Sequence, residues 1–399
     1  MRIVFVTTHY WPSLGGVERV VKSLAHAYRA EGHGVQVVAK RFDERLLGPA
    51  AFVLRERPRV APSSAGGVEV RQLRLPLRRR ARLLPVALQA VPGLGRLAAQ
   101  WLGPRAPGLY SAAARPALEE LLAGADVVHV FGTGLLAVAA LEAAHGLALP
   151  VAVTPFAHPG PPASELTVRH VCRAGDAILA TVEADAARYR DHGASPERVH
   201  VCGVPVPALP AAELAPRPRP PAQAPVVLFL GARRADKGWS ELLDCAPSVW
   251  ERFPDTRFAF VGPGRGLGAT DHRVLDVGRV GDPERAAWVR RATMLCLPSR
   301  WEAFGLVVAE AWSAGVPVVV SDTPVLRELV ERSGGGVAVA PGPDTLVGAI
   351  VELLERPERA RELGRLGRRY WERECTPAVV VRRHLEVYRE LTAGSLVQA

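Results

Sequence analysis

Two glutamates stand out in the segment "SRWEAFGLVVAEAWSAGVPVVVSD" (residues 299–322) because of their spacing and surroundings. Glu310 is the only charged residue between Ala303 and Ser321, and Glu302 precedes it just ahead of this apolar run. On a helix that starts near residues 303–305, no cation shares the face of Glu310. A buried carboxylate without a partner is costly, so Glu310 should meet either a protein partner elsewhere or a ligand. The vicinal hydroxyls of a ribose would suit it, since each can donate to one carboxylate oxygen.

The residues just before this helix could hold an anion and a sugar. Glu302 would lie on the loop beside the backbone N–H groups of Phe304, Gly305 and Leu306. A helix N-terminus attracts phosphate, and a glycine there lets a ligand approach the backbone closely. The predicted arrangement is a sugar at Glu302, a diphosphate at the helix start and a ribose at Glu310. The alternative is that Glu302 is a favourable first-turn acid and Glu310 a buried structural one.

A glycine turn with several cations follows another apolar, strand-like run, in "FLGARRADKGW". Gly231 opens a loop that carries Arg233, Arg234 and Lys237, and ligands of open α/β sheets bind at such strand ends. The chain has three lysines among its 50 basic residues, so Lys237 is a rare choice that favours a role for its compact charge. The alternative is a solvated turn without a ligand.

Two further positions are weaker candidates when taken alone. Gly16 belongs to the Gly15–Gly16 turn of "HYWPSLGGVERV", whose backbone amides could face a phosphate, although such pairs often serve only the turn. His158 follows a predicted strand in "TPFAHPG", and a lone histidine is more often structural. No D-x-D pair occurs in the chain, so a metal-held diphosphate is not indicated.

The elements that must position these residues follow an α/β rhythm. Short apolar runs such as "RIVFVTT", "VVLFL" and "VPVVVSD" alternate with segments of helical periodicity, which predicts doubly wound parallel sheets. A proline-rich stretch, residues 205–225, predicts a linker between two domains. The predicted domains are residues 1–204 and 226–375, and an amphipathic helix at about 376–395 ends the chain.

The basic charge of the chain is concentrated in its first half. Nine arginines and no acid lie between Val70 and Leu118. An arginine-rich segment, residues 71–105, is interpreted either as a surface for an anionic membrane or as a compositional bias with solvated arginines. Nucleic acid is not indicated because no recognised binding motif accompanies the charge. Five scattered cysteines and the absence of a signal-like start favour the cytoplasm, with peripheral attachment to the inner membrane as a hypothesis.

Taken in order, "HYWPSLGGVERV", "GARRADKG", "FVGPG", "GRVGDPERAAWVRRATMLCLPS" and "EAFGLVVAEAWSAGVPVVVSD" resemble the retaining glycosyltransferases of the GT-B fold, family four. The last segment matches the family's E-x7-E motif. The resemblance implies two Rossmann-like domains facing a cleft, with the terminal helix crossing back to the N-terminal domain. It implies an acceptor-binding N-terminal domain and a C-terminal domain that binds a nucleotide-diphosphate sugar, with no metal or other cofactor.

The resemblance also implies roles for single residues. Lys237 and Arg233 would stabilise the leaving diphosphate, Glu302 would contact the sugar, and His158 would face the reaction centre. The donor would further meet Gly16, Gly231, Glu310 and the backbone of residues 304–306. The sequence departs from the family at Ala232, where an arginine is usual, so Arg233 takes that role one position late.

The predicted function is transfer of a hexose, with retention, to a lipid-linked or glycan acceptor in cell-envelope or polysaccharide biosynthesis. Two alternatives stay open: a GT-B-like nucleotide-sugar epimerase, and a catalytically silent protein that binds a nucleotide sugar. The displaced arginine is the feature that keeps the silent protein under consideration.

Overall fold

The computed structural model of the chain divides into two compact units, each with its own sheet. Unit 1 holds Met1–Thr181, Asp185–Cys202 and Val380–Ala399, and unit 2 holds Val182–Ala184 and Gly203–Val379. The structure describes residues 1–10, 15–41, 64–65, 67–81, 83, 105–157, 162–210, 221, 223–268 and 271–398.

The first sheet has eight strands in the order β3-β4-β2-β1-β5-β6-β7-β8, and every neighbouring pair is parallel except β3–β4. The strands are β1 (Arg2–His9), β2 (Gly34–Arg41), β3 (Ser64–Ala65), β4 (Val68–Gln72), β5 (Val127–Phe131), β6 (Val151–Thr154), β7 (Ala177–Ala180) and β8 (Val199–Val201). The helices between them are α1 (Gly16–Ala30), α2 (Leu77–Ala81), α3 (Ala106–Leu122), α4 (Leu135–Gly146), α5 (Pro162–Ala174) and α6 (Glu183–Asp191), with a 3₁₀ turn at Pro196–Arg198.

The second sheet has six parallel strands in the order β11-β10-β9-β12-β13-β14. They are β9 (Val226–Leu230), β10 (Arg257–Val261), β11 (Val274–Gly278), β12 (Met294–Leu297), β13 (Val318–Ser321) and β14 (Gly336–Val339). The helices are α7 (Trp239–Trp250), α8 (Asp282–Arg291), α9 (Leu306–Ser313), α10 (Pro324–Ser333), α11 (Pro343–Glu355), α12 (Pro357–Tyr370) and α13 (Pro377–Gln398). A 3₁₀ turn, Ala235–Lys237, precedes α7, and a π-helical turn, Trp371–Cys375, precedes α13.

Apolar patterning explains why these segments become strands and helices. Every residue of β5, β9, β12 and β13 is buried, as a central parallel strand covered on both faces requires. Helix α1 buries Val20, Val21, Leu24 and Tyr28, together with Ala25, so one face of its 3.6-residue repeat meets the sheet. The predicted doubly wound α/β class with two Rossmann-like units is confirmed.

Four strands were absent from the sequence prediction, namely β3, β4, β8 and β11. No residue of β11 is fully buried, and Asp276 interrupts its apolar residues, so the sequence shows no continuous apolar run there. The terminal helix begins at Pro377, and its residues from Val380 onward group with unit 1. The boundary between the two units falls after Cys202, whereas the first domain predicted from the sequence ends at residue 204.

In each sheet the chain order changes direction beside the first strand of the unit. In the second sheet β10 and β11 extend from one side of β9, and β12, β13 and β14 extend from the other. Ligands of open α/β sheets bind at the carboxyl ends of strands where the order reverses. The loops after β9 and β12 therefore lie at the expected ligand position of unit 2.

Candidate functional site

The loop after β9 places Lys237 next to the segment that follows β12. Gly231 begins this loop and donates its N–H to the carbonyl oxygen of Val261 at 2.9 Å. Gly238 ends it with φ +67°, and a Cβ there would lie 2.0 Å from the carbonyl oxygen of Pro298. A side chain at position 238 is therefore excluded by both backbone conformation and contact. The missing side chain lets the turn that carries Lys237 pack directly on the chain leaving β12.

Lys237 and Glu302, both predicted site residues, are in direct contact. Lys237 Nζ lies 2.8 Å from Glu302 Oε1, and the Ser299 hydroxyl donates to the same oxygen at 2.8 Å. The side chains of Lys237 and Glu302 are 19% and 13% exposed, while Ser299 is fully buried. Both bonds end on Oε1, and neither uses Oε2. Because the second oxygen keeps its acceptor capacity, Glu302 can accept from a sugar hydroxyl while paired with Lys237.

Helix α9 begins as predicted and presents an uncapped N-terminus beside this pair. Gly305 is its N-cap residue with φ +81°, and a Cβ there would lie 2.9 Å from Leu326 Cδ2. Phe304 is buried ahead of it, and Leu306 is the first helical residue. Within the described part of the chain, no side chain caps this helix start. The N–H of Val308 donates to the carbonyl oxygen of Gly305 at 2.8 Å, whereas those of Leu306 and Val307 precede the first intrahelical bond. These two groups and the helix dipole favour an anion.

Glu310 has a protein partner that the sequence did not reveal. Arg285 of α8 donates two parallel hydrogen bonds to its carboxylate, Nη1 to Oε2 and Nη2 to Oε1, both at 2.6 Å. The side chains are 14% exposed for Arg285 and 9% for Glu310. As expected, α9 itself carries no cation near Glu310, and the cationic partner comes from α8. The ribose role of Glu310 stays a prediction and has to be compatible with this pair.

Arg233 lies in a different environment from the one predicted for a diphosphate ligand. Its guanidinium pairs with Asp276 of β11 and is 4% exposed, and Nη2 also donates to the carbonyl oxygen of Gly262 at 3.4 Å. The second oxygen of Asp276 accepts the N–H of Leu267 at 3.0 Å. Arg233 thus links the loop after β9 to the loop after β10. This contact is an alternative to the phosphate role, which stays a prediction.

The candidates of unit 1 are only partly described. Gly16 is the first residue of α1, and the carboxylate of Glu18 folds over the helix start, 2.0 Å from where a Cβ on Gly15 would be. An acid therefore already lies at this N-terminus, and the diphosphate role of Gly16 stays a prediction. His158 lies outside the described residues.

The arginine-rich segment 71–105 is described only at residues 71–81, 83 and 105. Arg71 pairs with Glu69 at 2.7 Å, and Arg74 donates to Gln72 at 3.3 Å. In the parts of the chain that the structure describes, no helix is long and apolar enough to cross a membrane. Those same parts contain no group of three or more His, Cys, Asp or Glu arranged to hold a metal ion.

Two units with open, mostly parallel sheets, a basic loop after β9 and an uncapped start of α9 are the features expected of a GT-B glycosyltransferase. Family matches agree with this class: residues 15–205 match the "Glycosyl transferase 4-like domain" and residues 224–356 match "Glycosyl transferases group 1". The chain belongs to the group 1, family four glycosyltransferases of the GT-B fold. The resemblance of the sequence to this family and fold is confirmed.

Individual relatives are similar over part of their length or over the fold alone. Phosphatidyl-myo-inositol mannosyltransferase of Mycobacterium leprae is 36% identical over 190 residues, which cover 43% of this chain and 48% of that protein. The chain spans about half or less of the curated relatives it matches. Sucrose-phosphate synthase of Thermosynechococcus elongatus superposes with a TM-score of 0.70 at 19% identity, over 98% of this chain and 99% of that one. Anabaena HepE in complex with UDP-glucose gives 0.71 at 16%, over 98% and 100%.

Three residues of this region were missed by the sequence reasoning: Ser299, Asp276 and Arg285. Ser299 adjoins the E-x7-E segment, and its burial at a strand end would have indicated a hydrogen-bond partner. Asp276 lies within the strand that lacked an apolar run. Arg285 could have been sought as the cation that a buried Glu310 requires, but its identity depends on tertiary packing.

Proposed function

We propose that this chain transfers a hexose, with retention of anomeric configuration and without a metal ion, from a nucleotide-diphosphate sugar to a lipid-linked or glycan acceptor. The observation that carries the proposal is the contact between Lys237 and Glu302 beside the uncapped start of α9, at the strand ends where the sheet order reverses. This site thus combines a cation, a carboxylate with one oxygen outside that contact, and a helix start that favours anions.

Different groups of the site would bind different parts of the donor. The diphosphate would lie between Lys237 Nζ and the first N–H groups of α9, which together balance the charge that develops as it leaves. The free oxygen of Glu302 would accept hydrogen bonds from hydroxyls of the sugar. Glu310 would accept from the ribose hydroxyls. The first three groups are positioned by strand ends or by the start of α9, and Glu310 is positioned by the body of that helix.

The proposed chemistry is a front-face displacement. The bond from the anomeric carbon to the diphosphate oxygen breaks, and the acceptor oxygen forms its bond on the same face of the sugar. The acceptor hydroxyl gives its proton to the departing diphosphate, so no protein base is required at the reacting atoms. Lys237 stabilises the leaving group throughout, because the charge on the diphosphate grows as the bond breaks.

The names of similar proteins support the classes of donor and acceptor in this proposal. One relative is a mannosyltransferase whose name gives phosphatidyl-myo-inositol, which supports a lipid-linked acceptor. HepE was solved with UDP-glucose, which supports a nucleotide-diphosphate sugar as donor. Cell-envelope or polysaccharide biosynthesis, and a peripheral location at the inner membrane, follow as part of the same proposal.

The experiment is calorimetric titration of UDP, GDP and ADP, with EDTA present, into the wild type and Glu310→Ala. Losing a charge-assisted ribose contact should weaken binding by about 1.5–3 kcal/mol, which is roughly tenfold to more than a hundredfold. Glu310→Gln is measured beside it, since it keeps the side-chain volume and leaves Arg285 an acceptor. Glu362→Ala, which removes a carboxylate from an exposed pair with Arg365 on α12, is the matched control.

Either of two results would contradict the proposal. One is the absence of any nucleoside diphosphate binding in the folded wild type. The other is binding to folded Glu310 variants that equals the wild type, which would make the carboxylate structural. A mixture of lipid acceptors and donor sugars then tests turnover for the nucleotide that binds.

A catalytically silent nucleotide-sugar-binding protein is the second candidate. It is favoured by the engagement of Arg233 with Asp276, which does not bring that guanidinium to Lys237 or Glu302. Tight donor binding with no release of nucleoside diphosphate across the acceptor mixture would select this candidate.

A further inference from the structure

We propose that Arg285 is a positioning residue for ribose recognition, acting through Glu310. The inference rests on the proposed function and adds a residue that the sequence motif does not contain. Its basis is the bidentate geometry: two parallel N–H···O bonds of 2.6 Å join the guanidinium to both carboxylate oxygens. A pair of this kind fixes the plane of the carboxylate as well as its position.

The two partners come from rigid helix segments. Arg285 lies in the first turn of α8, where its own N–H donates to the carbonyl oxygen of Gly281 at 2.9 Å. Trp288, one turn further along α8, is fully buried and anchors the helix. Glu310 lies in the middle of α9, among buried residues on either side. The orientation of the carboxylate is therefore set by the packing of two helices within unit 2.

The pair leaves capacity for a ligand on the carboxylate. An ionised carboxylate has about four acceptor positions, and the bidentate guanidinium uses one on each oxygen. One position on each oxygen remains, and these two positions lie on opposite edges of the carboxylate. Glu310 can thus hold Arg285 and accept from a ribose hydroxyl at one edge, and the guanidinium fixes the direction in which that edge points.

The carboxylate is also the main partner of the guanidinium. Arg285 Nε is buried and has no hydrogen-bond partner among the described residues, and Asp282 Oδ1 lies 3.8 Å from it. Without Arg285, a side chain that is 9% exposed would carry a charge with no described cation against it. Such a carboxylate would turn toward solvent, and this change removes the oriented acceptors.

A stabilising role alone makes a different prediction from a positioning role. If Arg285 only stabilises the fold, its replacement lowers the unfolding free energy but leaves recognition of the ribose hydroxyls unchanged. If it positions Glu310, its replacement removes the preference for a nucleotide that carries the 2′-hydroxyl. The ratio of two dissociation constants therefore separates the two roles.

The experiment measures the Kd of whichever of UDP, GDP and ADP the wild type binds most tightly, and of its 2′-deoxy counterpart. The wild type should prefer the ribonucleotide by about tenfold. Arg285→Met should bring the ratio close to one, and Arg285→Lys, which keeps the charge but not the parallel donors, should give an intermediate ratio. Arg365→Met, which breaks an exposed arginine–glutamate pair on α12, should keep the wild-type ratio.

A wild-type ratio in folded Arg285→Met and Arg285→Lys would overturn the inference while leaving the proposed function intact. If Arg285→Met does not fold, the ratio of Arg285→Lys decides in the same way. A wild type that binds no nucleotide would refute the proposed function itself, and the inference with it.

Discussion

A buried pair of histidines in unit 1 makes the contact between β5 and the C-terminal helix sensitive to acid. His129 of β5 is fully buried, with Nε2 at 2.7 Å from the Thr154 hydroxyl and Nδ1 at 2.6 Å from the Tyr388 hydroxyl. His384, one turn before Tyr388 on α13, is 3% exposed, and its ring centroid is 5.6 Å from that of His129. Tyr28 stacks on Tyr388 and closes the cluster.

Both imidazoles resist protonation in the folded protein. Burial, and then the nearby His384, hold the pKa of His129 well below its ordinary value. Burial, and then the Arg383 cation, lower the pKa of His384 to about 3. In the unfolded chain the pKa of each returns to about 6.5. Below pH 6.5 the unfolded state therefore binds protons that the folded state does not, so stability is present above that pH and is lost as the pH falls.

The size of the loss follows from the linkage relation. One pH unit below 6.5, each histidine that stays neutral in the fold costs about 1.4 kcal/mol of unfolding free energy. At pH 5.5 the pair should therefore cost about 3 kcal/mol relative to pH 7.5 or above. His384→Phe removes one of the two groups and keeps a ring in place. Because His384 Nδ1 has no partner among the described residues, this change leaves no acceptor stranded there.

Hydrogen exchange with mass spectrometry, corrected for the intrinsic rate at each pH, measures the effect locally. Peptides covering β5 and α13 should lose protection between pH 7.5 and 5.5 in the wild type, and His384→Phe should lose about half as much free energy. His272→Gln, at a histidine whose side chain is 82% exposed, is the control and should follow the wild type. Equal pH dependence in the wild type and His384→Phe would refute the reasoning.

The remaining predictions concern the loop after β9. Gly238→Ala combines a positive φ with a Cβ only 2.0 Å from the Pro298 carbonyl oxygen, so we expect a loss of roughly 3 kcal/mol or more in urea unfolding. Gly268→Ala has a similar φ of +65°, but no atom of the described residues lies within 4 Å of its Cβ position, and it should lose only about 1–2 kcal/mol; equal losses would contradict the contact argument. Arg233→Met should lower stability by about 1.5–3 kcal/mol and change nucleoside diphosphate affinity less than threefold, whereas Lys237→Met should weaken that affinity about tenfold. A tenfold loss in Arg233→Met, measured by calorimetry, would instead support the phosphate role of that residue.

Local sequence patterns were sufficient for most of the fold. Continuous apolar runs identify β9, β12 and β13 because a strand covered on both faces has no polar positions to interrupt it. Gly305 and the apolar segment after it predict where α9 begins, because a glycine can adopt the positive φ that the N-cap of this helix has. The missed strand β11 is partly exposed and carries Asp276, so its sequence looks like a loop.

Some contacts of the site could also be predicted from the sequence, and others could not. Lys237 and Glu302 could be predicted to lie at the same edge of the sheet, since each follows a strand and parallel strands end together at their carboxyl ends. Their direct contact depends on Gly238, whose role is visible only when the neighbouring Pro298 backbone is in place. The partner of Arg233 could not be predicted either, because it belongs to the strand that the sequence did not reveal.

A ligand at Glu310 is supported by different observations in the sequence and in the structure. From the sequence, the carboxylate pointed to a ligand because no cation was in reach on its own helix. The structure supplies Arg285, so an unmet need for a partner no longer supports the ribose assignment. What supports it is position: Glu310 lies about one turn after the start of α9, and that start adjoins the Lys237 contact. A carboxylate that is already oriented and charge-balanced also binds a neutral hydroxyl at a lower cost than an isolated buried one, because its desolvation has been offset before the ligand arrives.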